Sequence, residues 1–317
     1  KVLIHFWGTR GSLPYSVRTE EIRGKIRSAL CQALEHGLSR EEEIDSFIDN
    51  HLPFSVKSGF GCNTPCVEVR GGTDFVICDA GTGLRDFGDY VMQHFTPPNV
   101  FHIFMSHIHW DHIQGFPFFT PAFVSGNTVH IYGAHSELES AFMKQQETPC
   151  FPVPMSYMQA NIQFHLLDPK ETHKVSGFEV NLVKQNHPGD SYGYSFCKEG
   201  KKFVYSTDAE HTEVSDKDDY YFISFAENAD LLVFDAQYRL VEHFHTKEHW
   251  GHSSNMTAVE LAVRSKAKHL CLFHNEHTIN DYQLSEYLKQ TRRYLEIYEP
   301  EASLKIDLAY DDLKVSL

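Results

Sequence analysis

The residues able to do chemistry are concentrated in one stretch, Ser106-His107-Ile108-His109-Trp110-Asp111-His112. Four potential metal donors, His107, His109, Asp111 and His112, fall within six residues there. They follow Val100-Phe101-His102-Ile103-Phe104, a largely apolar run that reads as a strand. Where a strand gives way to a loop, the backbone changes direction quickly. His107 and His109 can then face one ion, and Asp111 and His112 a second beside it. Imidazole and carboxylate together suit Zn²⁺ and related divalent ions. The competing account is a polar loop that is only rich in histidine. Four ligand types so close together at the end of a strand argue against it.

One loop does not complete a metal centre, and further candidates recur downstream at strand ends. His187 follows Phe178-Glu179-Val180-Asn181-Leu182-Val183, in Asn186-His187-Pro188-Gly189. Asp208 follows Lys202-Phe203-Val204-Tyr205-Ser206, and His274 directly follows His269-Leu270-Cys271-Leu272-Phe273. Each alone is a weak signal, since a strand-terminal Asp is often only a cap. Together they supply a third donor for each ion and one carboxylate between the two. His277 competes with His274, and the position directly after the strand favours His274.

This order, His-x-His-x-Asp-His followed by a lone His, an Asp and a last His, resembles the metallo-β-lactamase superfamily. The resemblance spans nearly the whole chain apart from 18–57. It implies an α/β fold, an αββα sandwich, with a dinuclear site on one edge. In such enzymes His107, His109 and His187 would hold one ion, Asp111, His112 and His274 the other, and Asp208 would bridge them. His rather than Cys at 187, with Asp at 208, is similar to the phosphodiesterase and tRNase Z side of the superfamily. The segment from Phe75 to Gly83 resembles its early aspartate and glycine turn, in which Asp79 supports the metal loop. Trp250-Gly251-His252-Ser253-Ser254 resembles a Gly-His-Ser-Thr element of tRNase Z and related phosphodiesterases. That likeness places His252 at the reacting phosphate, stabilising charge or protonating the leaving oxygen. The competing account is a surface histidine near a helix cap. Phe60-Gly61-Cys62-Asn63-Thr64-Pro65-Cys66 is similar to a Gly-Gly-Asn-Thr segment of this branch, with Phe60 departing from it and no role assigned to Asn63.

The implied cofactors are two divalent ions, Zn²⁺ first, with Mn²⁺ or Fe²⁺ accepted by the same donors. The implied reaction is in-line attack on phosphorus by a hydroxide held between the ions. Asp111 and Asp208 would fix the ion separation and His252 would protonate the leaving oxygen.

The elements that must position these residues can be read coarsely. Strands are expected at 1–7, 128–132, 161–167, 178–183, 192–197, 202–206, 230–234 and 269–273, with a hairpin around Gly71-Gly72. Helices are expected at 84–95, 135–146, 254–266 and 280–297. This pattern suggests sheets covered by helices in a single domain over 1–317. Residues 18–57 interrupt it as an inserted helical hairpin. Its first helix has apolar residues at Ile22, Ile26, Ala29, Leu30, Ala33 and Leu34; its second, from about Arg40 to Asn50, opens on a Ser39/Glu42 capping box. The amphipathic pattern suits a lid or a homodimer contact.

Charge narrows the partner. Lys and Arg total 28 against 43 Asp and Glu, a net charge of −15. A nonspecific nucleic-acid binder needs the opposite sign on its binding face. By the resemblance, tRNase Z grips tRNA with a basic arm, yet twenty residues separate His187 from Asp208, and 18–57 carries six Lys/Arg against eight Asp/Glu. The expected substrate is therefore a small anionic phosphodiester rather than a large nucleic acid. Similarity to bacterial and phage cyclic-nucleotide phosphodiesterases of this fold points to a cyclic nucleotide. The rivals are an RNA-processing nuclease, a lactonase-like hydrolase and a metal-dependent nucleotide sensor that does not cleave.

Of 21 histidines, the candidate donors and His252 use six. His243, His245 and His249 either line the pocket or sit on a solvated loop. Phe116, Phe118, Phe119 and Phe123 read as core, with a wall for an aromatic substrate as the alternative. Seven scattered cysteines read as reduced thiols and a cytoplasmic setting; Cys62 and Cys66, the only close pair, read as buried thiols, with a metal site as the weaker alternative. The opening apolar run, interrupted by His5, is too short for a signal peptide, and no run suits a membrane span.

Overall fold

The computed structural model describes residues 1–211, 217, 219–238 and 251–317. His243, His245, His249 and Trp250 lie outside the described residues. Two seven-stranded sheets face each other. The first runs in the order β16 (Lys314–Ser316), β1 (Leu3–Gly8), β3 (Cys66–Arg70), β4 (Phe75–Cys78), β5 (Val100–Phe104), β6 (Thr128–Gly133) and β7 (Asn161–Leu166). The second runs β15 (Lys305–Leu308), β13 (His269–Phe273), β12 (Leu231–Asp235), β11 (Lys201–Ser206), β10 (Ser191–Lys198), β9 (Phe178–Gln185) and β8 (His173–Val175). A third, two-stranded pairing of β2 (Arg10–Gly11) with β14 (Asn275–Glu276) joins the two halves at one edge.

The central strands are apolar throughout because both of their faces are covered. Successive side chains of β12 alternate between layers. Leu231 and Val233 enter the core between the sheets with Phe6, Phe104, Tyr194 and Phe273. Leu232 and Phe234 enter the outer core under α7 (Tyr221–Ala226), α8 (Asn255–Arg264) and α9 (Asp281–Tyr298). On the far side, Phe101 and Ile103 of β5 pack under α4 (Gly83–His94) and α6 (Leu138–Gln145) with Leu84, Phe87 and Phe142. The result is the αββα sandwich that the resemblance implied.

This topology gathers strand ends. β4, β5 and β6 are parallel in one sheet, and β11, β12 and β13 in the other. β9 runs antiparallel to β10, and β10 antiparallel to β11, so β9 points the same way as β11. The residues that follow β4, β5, β9, β11 and β13 therefore emerge along one rim.

Several expectations need correction. Segment 18–57 holds α1 (Thr19–His36), α2 (Ile44–His51) and α3 (Phe54–Lys57), and the predicted start of its second helix is instead a 3-10 turn, Glu41–Glu43. The Ser39/Glu42 capping box does not form; Arg40 occupies the cap and its guanidinium pairs with Glu43. α1 buries none of its side chains and leaves Ile22, Ile26, Leu30 and Leu34 exposed. The short helix α7 was missed because six aromatic-rich residues carry no helical period. Cys66 is buried as expected, whereas Cys62 is exposed. Phe116 and Phe119 are fully buried, but Phe118 faces solvent. Among the described residues, no helix is long and apolar enough to cross a membrane.

His211 gives the fold a measurable pH dependence. It packs against Phe222 and Phe234, with Nδ1 2.7 Å from the Tyr220 hydroxyl. Burial lowers its pKa from 6.5 to about 4. Folding favours the neutral ring, so this stability is complete above pH 6.5 and is lost as the pH falls to 4. His211→Phe removes the titration. Between pH 7 and 4, urea unfolding is expected to show the wild type losing about 3 kcal/mol more than the variant. Parallel pH profiles would refute this.

Candidate metal centre

The rim carries the predicted donors on four separate segments. After β5 the chain makes one helical turn, α5 (Trp110–Ile113), instead of a plain loop. His109 takes extended geometry at its N-cap (φ −64, ψ 156), while Asp111 and His112 lie within the turn. This change of direction aims His107 and His109 one way and Asp111 and His112 another. His187 occupies the tight turn between β9 and β10, Asp208 follows β11, and His274 follows β13.

Asp208 stands at the centre of the group. Its Oδ1 lies 3.8 Å from His107 Nε2 and 3.8 Å from His187 Nε2. Its Oδ2 lies 3.2 Å from His112 Nε2 and 3.4 Å from His274 Nε2. One oxygen thus faces each half of the site. In the first half, His109 Nδ1 is 3.1 Å from His187 Nε2. In the second, Asp111 Oδ2 is 3.2 Å from His274 Nε2. His107, His109 and His187 form one triad whose donor atoms all lie within 4.8 Å, and Asp111, His112 and His274 form another. His107, His112 and Asp208 meet the same limit between them. His277 joins none of these groups, which separates it from His274.

The donor chemistry fits divalent cations. His187 Nδ1–H donates to the Gly251 carbonyl at 2.8 Å, and His112 Nδ1–H donates to Asp79 Oδ2 at 2.8 Å. Both rings therefore turn Nε2 lone pairs inward, toward carboxylate oxygens that also bring lone pairs. His107 Nε2 is buried without a hydrogen-bond partner. Burial opposes charging of His112, yet the carboxylates of Asp208, Asp111 and Asp79 prevail and hold its pKa well above the ordinary value. Burial would raise the Asp208 pKa, but His274, His112 and His107 together push it well below the usual carboxylate range. His107, His109 and His187 are shifted the other way, chiefly by burial, so they stay neutral and able to donate. Divalent cations would displace the His112 proton and supply the positive charge that these carboxylates demand.

The surroundings hold the donors in place. Asp79, fully buried, accepts from the Ser106 amide at 2.7 Å, the Ser106 hydroxyl at 2.8 Å and the Tyr205 hydroxyl at 2.7 Å, besides His112. Asp111 Oδ2 accepts from the Ser12 amide at 2.8 Å. Asp79, Asp208 and His274 all have positive φ (+62, +52 and +61), a left-handed geometry that costs roughly 1–2 kcal/mol for a residue with a Cβ. Two glycines give the rings room. A Cβ on Gly11 would lie 2.3 Å from His274 Nδ1, and one on Gly251 2.2 Å from His187 Nδ1.

Sequence reasoning missed one residue of the site, Asp235. It ends β12 and accepts from His252 Nδ1–H at 2.9 Å. His252 Nδ1 also lies 3.8 Å from Asp208 Oδ1, and its ring stacks on His274 with centroids 5.0 Å apart. His252 is thus buried at the rim rather than a surface cap residue, and it belongs to two further donor groups. The available signal for Asp235 was an acidic residue closing the apolar run Leu231-Leu232-Val233-Phe234, the same pattern that marked Asp208. Asn63 stays out of the site. It braces the neighbouring turn by donating to Asp86 at 2.6 Å and accepting from the Thr82 hydroxyl at 3.1 Å.

Comparison with known proteins bears on the family and the fold. A family model described as a beta-lactamase superfamily domain matches residues 75–275. The chain is 26% identical over 270 residues to a ribonuclease Z of Pyrococcus furiosus, covering 67% of this chain and 80% of that protein. Among solved structures, a diphosphatase from the PhnP family is similar with a TM-score of 0.62 and 19% identity, over 100% of this chain and 98% of that one. Yeast PDE1 is similar with a TM-score of 0.61 and 13% identity, over 100% and 99% of the two chains. At these identities the structural likeness speaks for the fold alone.

The supporting contacts make the centre testable. Gly251→Ala places a methyl group against the His187 ring, and Asp79→Ala removes the acceptor that orients His112. Each is expected to weaken Zn²⁺ binding by roughly 10- to 100-fold, measured by competition with a chromophoric chelator. Unaltered affinity in both variants would show that these residues do not seat the donors.

Proposed function

The chain belongs to the beta-lactamase superfamily, and from that premise we propose that it is a metal-dependent hydrolase of small phosphodiesters, cyclic nucleotides before others. One observation carries the reading: His252, paired with Asp235, sits beside the donor cluster. Burial lowers the His252 pKa, but Asp235 and then Asp208 outweigh it and raise it to about 9. Asp235 thus favours the protonated imidazole. Asp235 engages Nδ1–H, so the Nε2 proton remains for the oxygen that leaves phosphorus.

Two divalent cations, Zn²⁺ first by donor type with Mn²⁺ or Fe²⁺ as alternatives, would supply an ionised water at neutral pH and offset the phosphate charge. The remaining work falls to side chains. His107, His109 and His187 would hold one ion and Asp111, His112 and His274 the other, with the Asp208 carboxylate placed between the two triads. As the new P–O bond forms and the ester P–O bond breaks, His252 gives its Nε2 proton to the leaving oxygen.

Charge and topology support a small substrate. The net charge is −15, and most of the segment between His187 and Asp208 is consumed by β10 and β11, which pair as a hairpin. Both features favour a small anion over a folded RNA. A second reading, RNA processing, is supported by the relative named ribonuclease Z.

The two readings separate by assay. Metal-loaded protein is expected to cleave cyclic mononucleotides and to leave precursor tRNA and a lactone panel intact. Cleavage of tRNA alone would establish the second reading, and turnover of no phosphodiester would leave the nucleotide sensor. Asp208→Ala is expected to abolish turnover while far-UV circular dichroism stays native; retained activity would refute the site. His252→Gln is expected to cut kcat on a cyclic nucleotide by roughly 10²- to 10⁴-fold. The loss should be much smaller on bis-p-nitrophenyl phosphate, whose leaving group needs no proton. Equal losses on both substrates would exclude His252 as the acid.

A further inference from the structure

Beside the metal loop lies an open groove of about 600 Å³. Trp110, Phe118 and Phe151 line it together with Lys144. Trp110 sits in the chain between His109 and Asp111, yet it is 67% exposed, and Phe118 is 56% exposed. The rings of Phe118 and Phe151 meet edge to face, with centroids 5.6 Å apart. Phe116 and Phe119, one residue away on either side of the Pro117-Phe118 pair, are fully buried. The aromatic run after the metal loop therefore divides into core residues and residues that face this groove. His109 is the exposed member of its triad, and Trp110 follows it directly in the chain.

An exposed indole and phenyl pair next to a site that handles phosphate calls for a ligand with both a π-face and a negative charge. Aromatic side chains stack on any nucleobase with little dependence on its identity. Lys144 supplies a cation at the same groove, in a protein that is otherwise strongly acidic. We propose that this groove is a nucleobase subsite, in which the base of a nucleotide phosphodiester stacks on Trp110 with Phe118 at its edge. This rests on the phosphodiesterase reading and deepens it: Trp110 and Phe118 set the preference for nucleotides over base-free esters.

The test compares metal-loaded wild type, Trp110→Ala and Phe118→Ala on cyclic AMP and on ribose 3′,5′-cyclic phosphate, the same ester without a base. Both variants are expected to raise KM for cyclic AMP about tenfold, the loss typical of a removed stacking partner. Their kcat should change by less than about threefold, and KM for the base-free ester by no more than that. Equal losses on the two esters, or no loss on either, would overturn the subsite. A second readout does not depend on turnover. In metal-loaded protein labelled with 5-fluorotryptophan, the ¹⁹F resonance of Trp110, assigned with Trp110→Phe, is expected to move as AMP is added. No movement with AMP, or movement with protein concentration alone because a second copy covers the groove, would overturn the proposal. Should wild type hydrolyse neither ester, the phosphodiesterase reading falls, and the ¹⁹F titration decides the groove by itself.

Discussion

The carboxylate of Asp79 is the contact on which the rest of the site depends. It leaves the end of one strand and takes hydrogen bonds from the next strand end, the helical turn after it, and the opposite sheet. Four donors on one buried carboxylate make the ion affordable there, because each charge-assisted bond offsets part of the desolvation penalty. The same bonds tie the two sheets together where the rim must be most rigid. A donor cluster assembled from four segments requires that tie. Without it, each segment would move with its own loop.

The rim also stores strain. Asp79, Asp208 and His274 all hold left-handed backbone geometry, and two of the three are candidate donors. Such geometry persists only where the surroundings over-determine it. Here the pairing of β2 with β14 holds the chain directly after His274, and the side-chain-free surfaces of Gly11 and Gly251 let two imidazoles pack against backbone. Stability given up locally places the lone pairs toward a common centre. The sandwich core, with Phe104, Tyr194 and Phe273 between the sheets, bears that cost.

Much of the architecture was legible in the residues. Apolar runs such as Leu231-Leu232-Val233-Phe234 and His269-Leu270-Cys271-Leu272-Phe273 announce strands covered on both faces, and the spacing in α1 announces a helix. The capping box at Ser39 failed because Arg40 and Glu43 form a competing local pair, which a pattern of residue types does not weigh. Helix α7 was invisible because a six-residue aromatic segment carries no period. The phenylalanines after the metal loop could not be sorted by composition, since burial of Phe116 and exposure of Phe118 depend on what lies opposite them.

For the site, the sequence by itself determined the set of candidate donors. His107, His109, Asp111 and His112 are close in the chain, so local spacing alone marks them, and a strand end marks His187, Asp208 and His274. Only the tertiary structure decided how these groups are shared. That one oxygen of Asp208 faces each triad, that His274 and not His277 turns inward, and that Asp235 holds His252 are relations between segments far apart in sequence. Spacing records chemistry along the chain. Which lone pairs converge depends on the parallel alignment of strands in two sheets, and that alignment is set by the packing of the core.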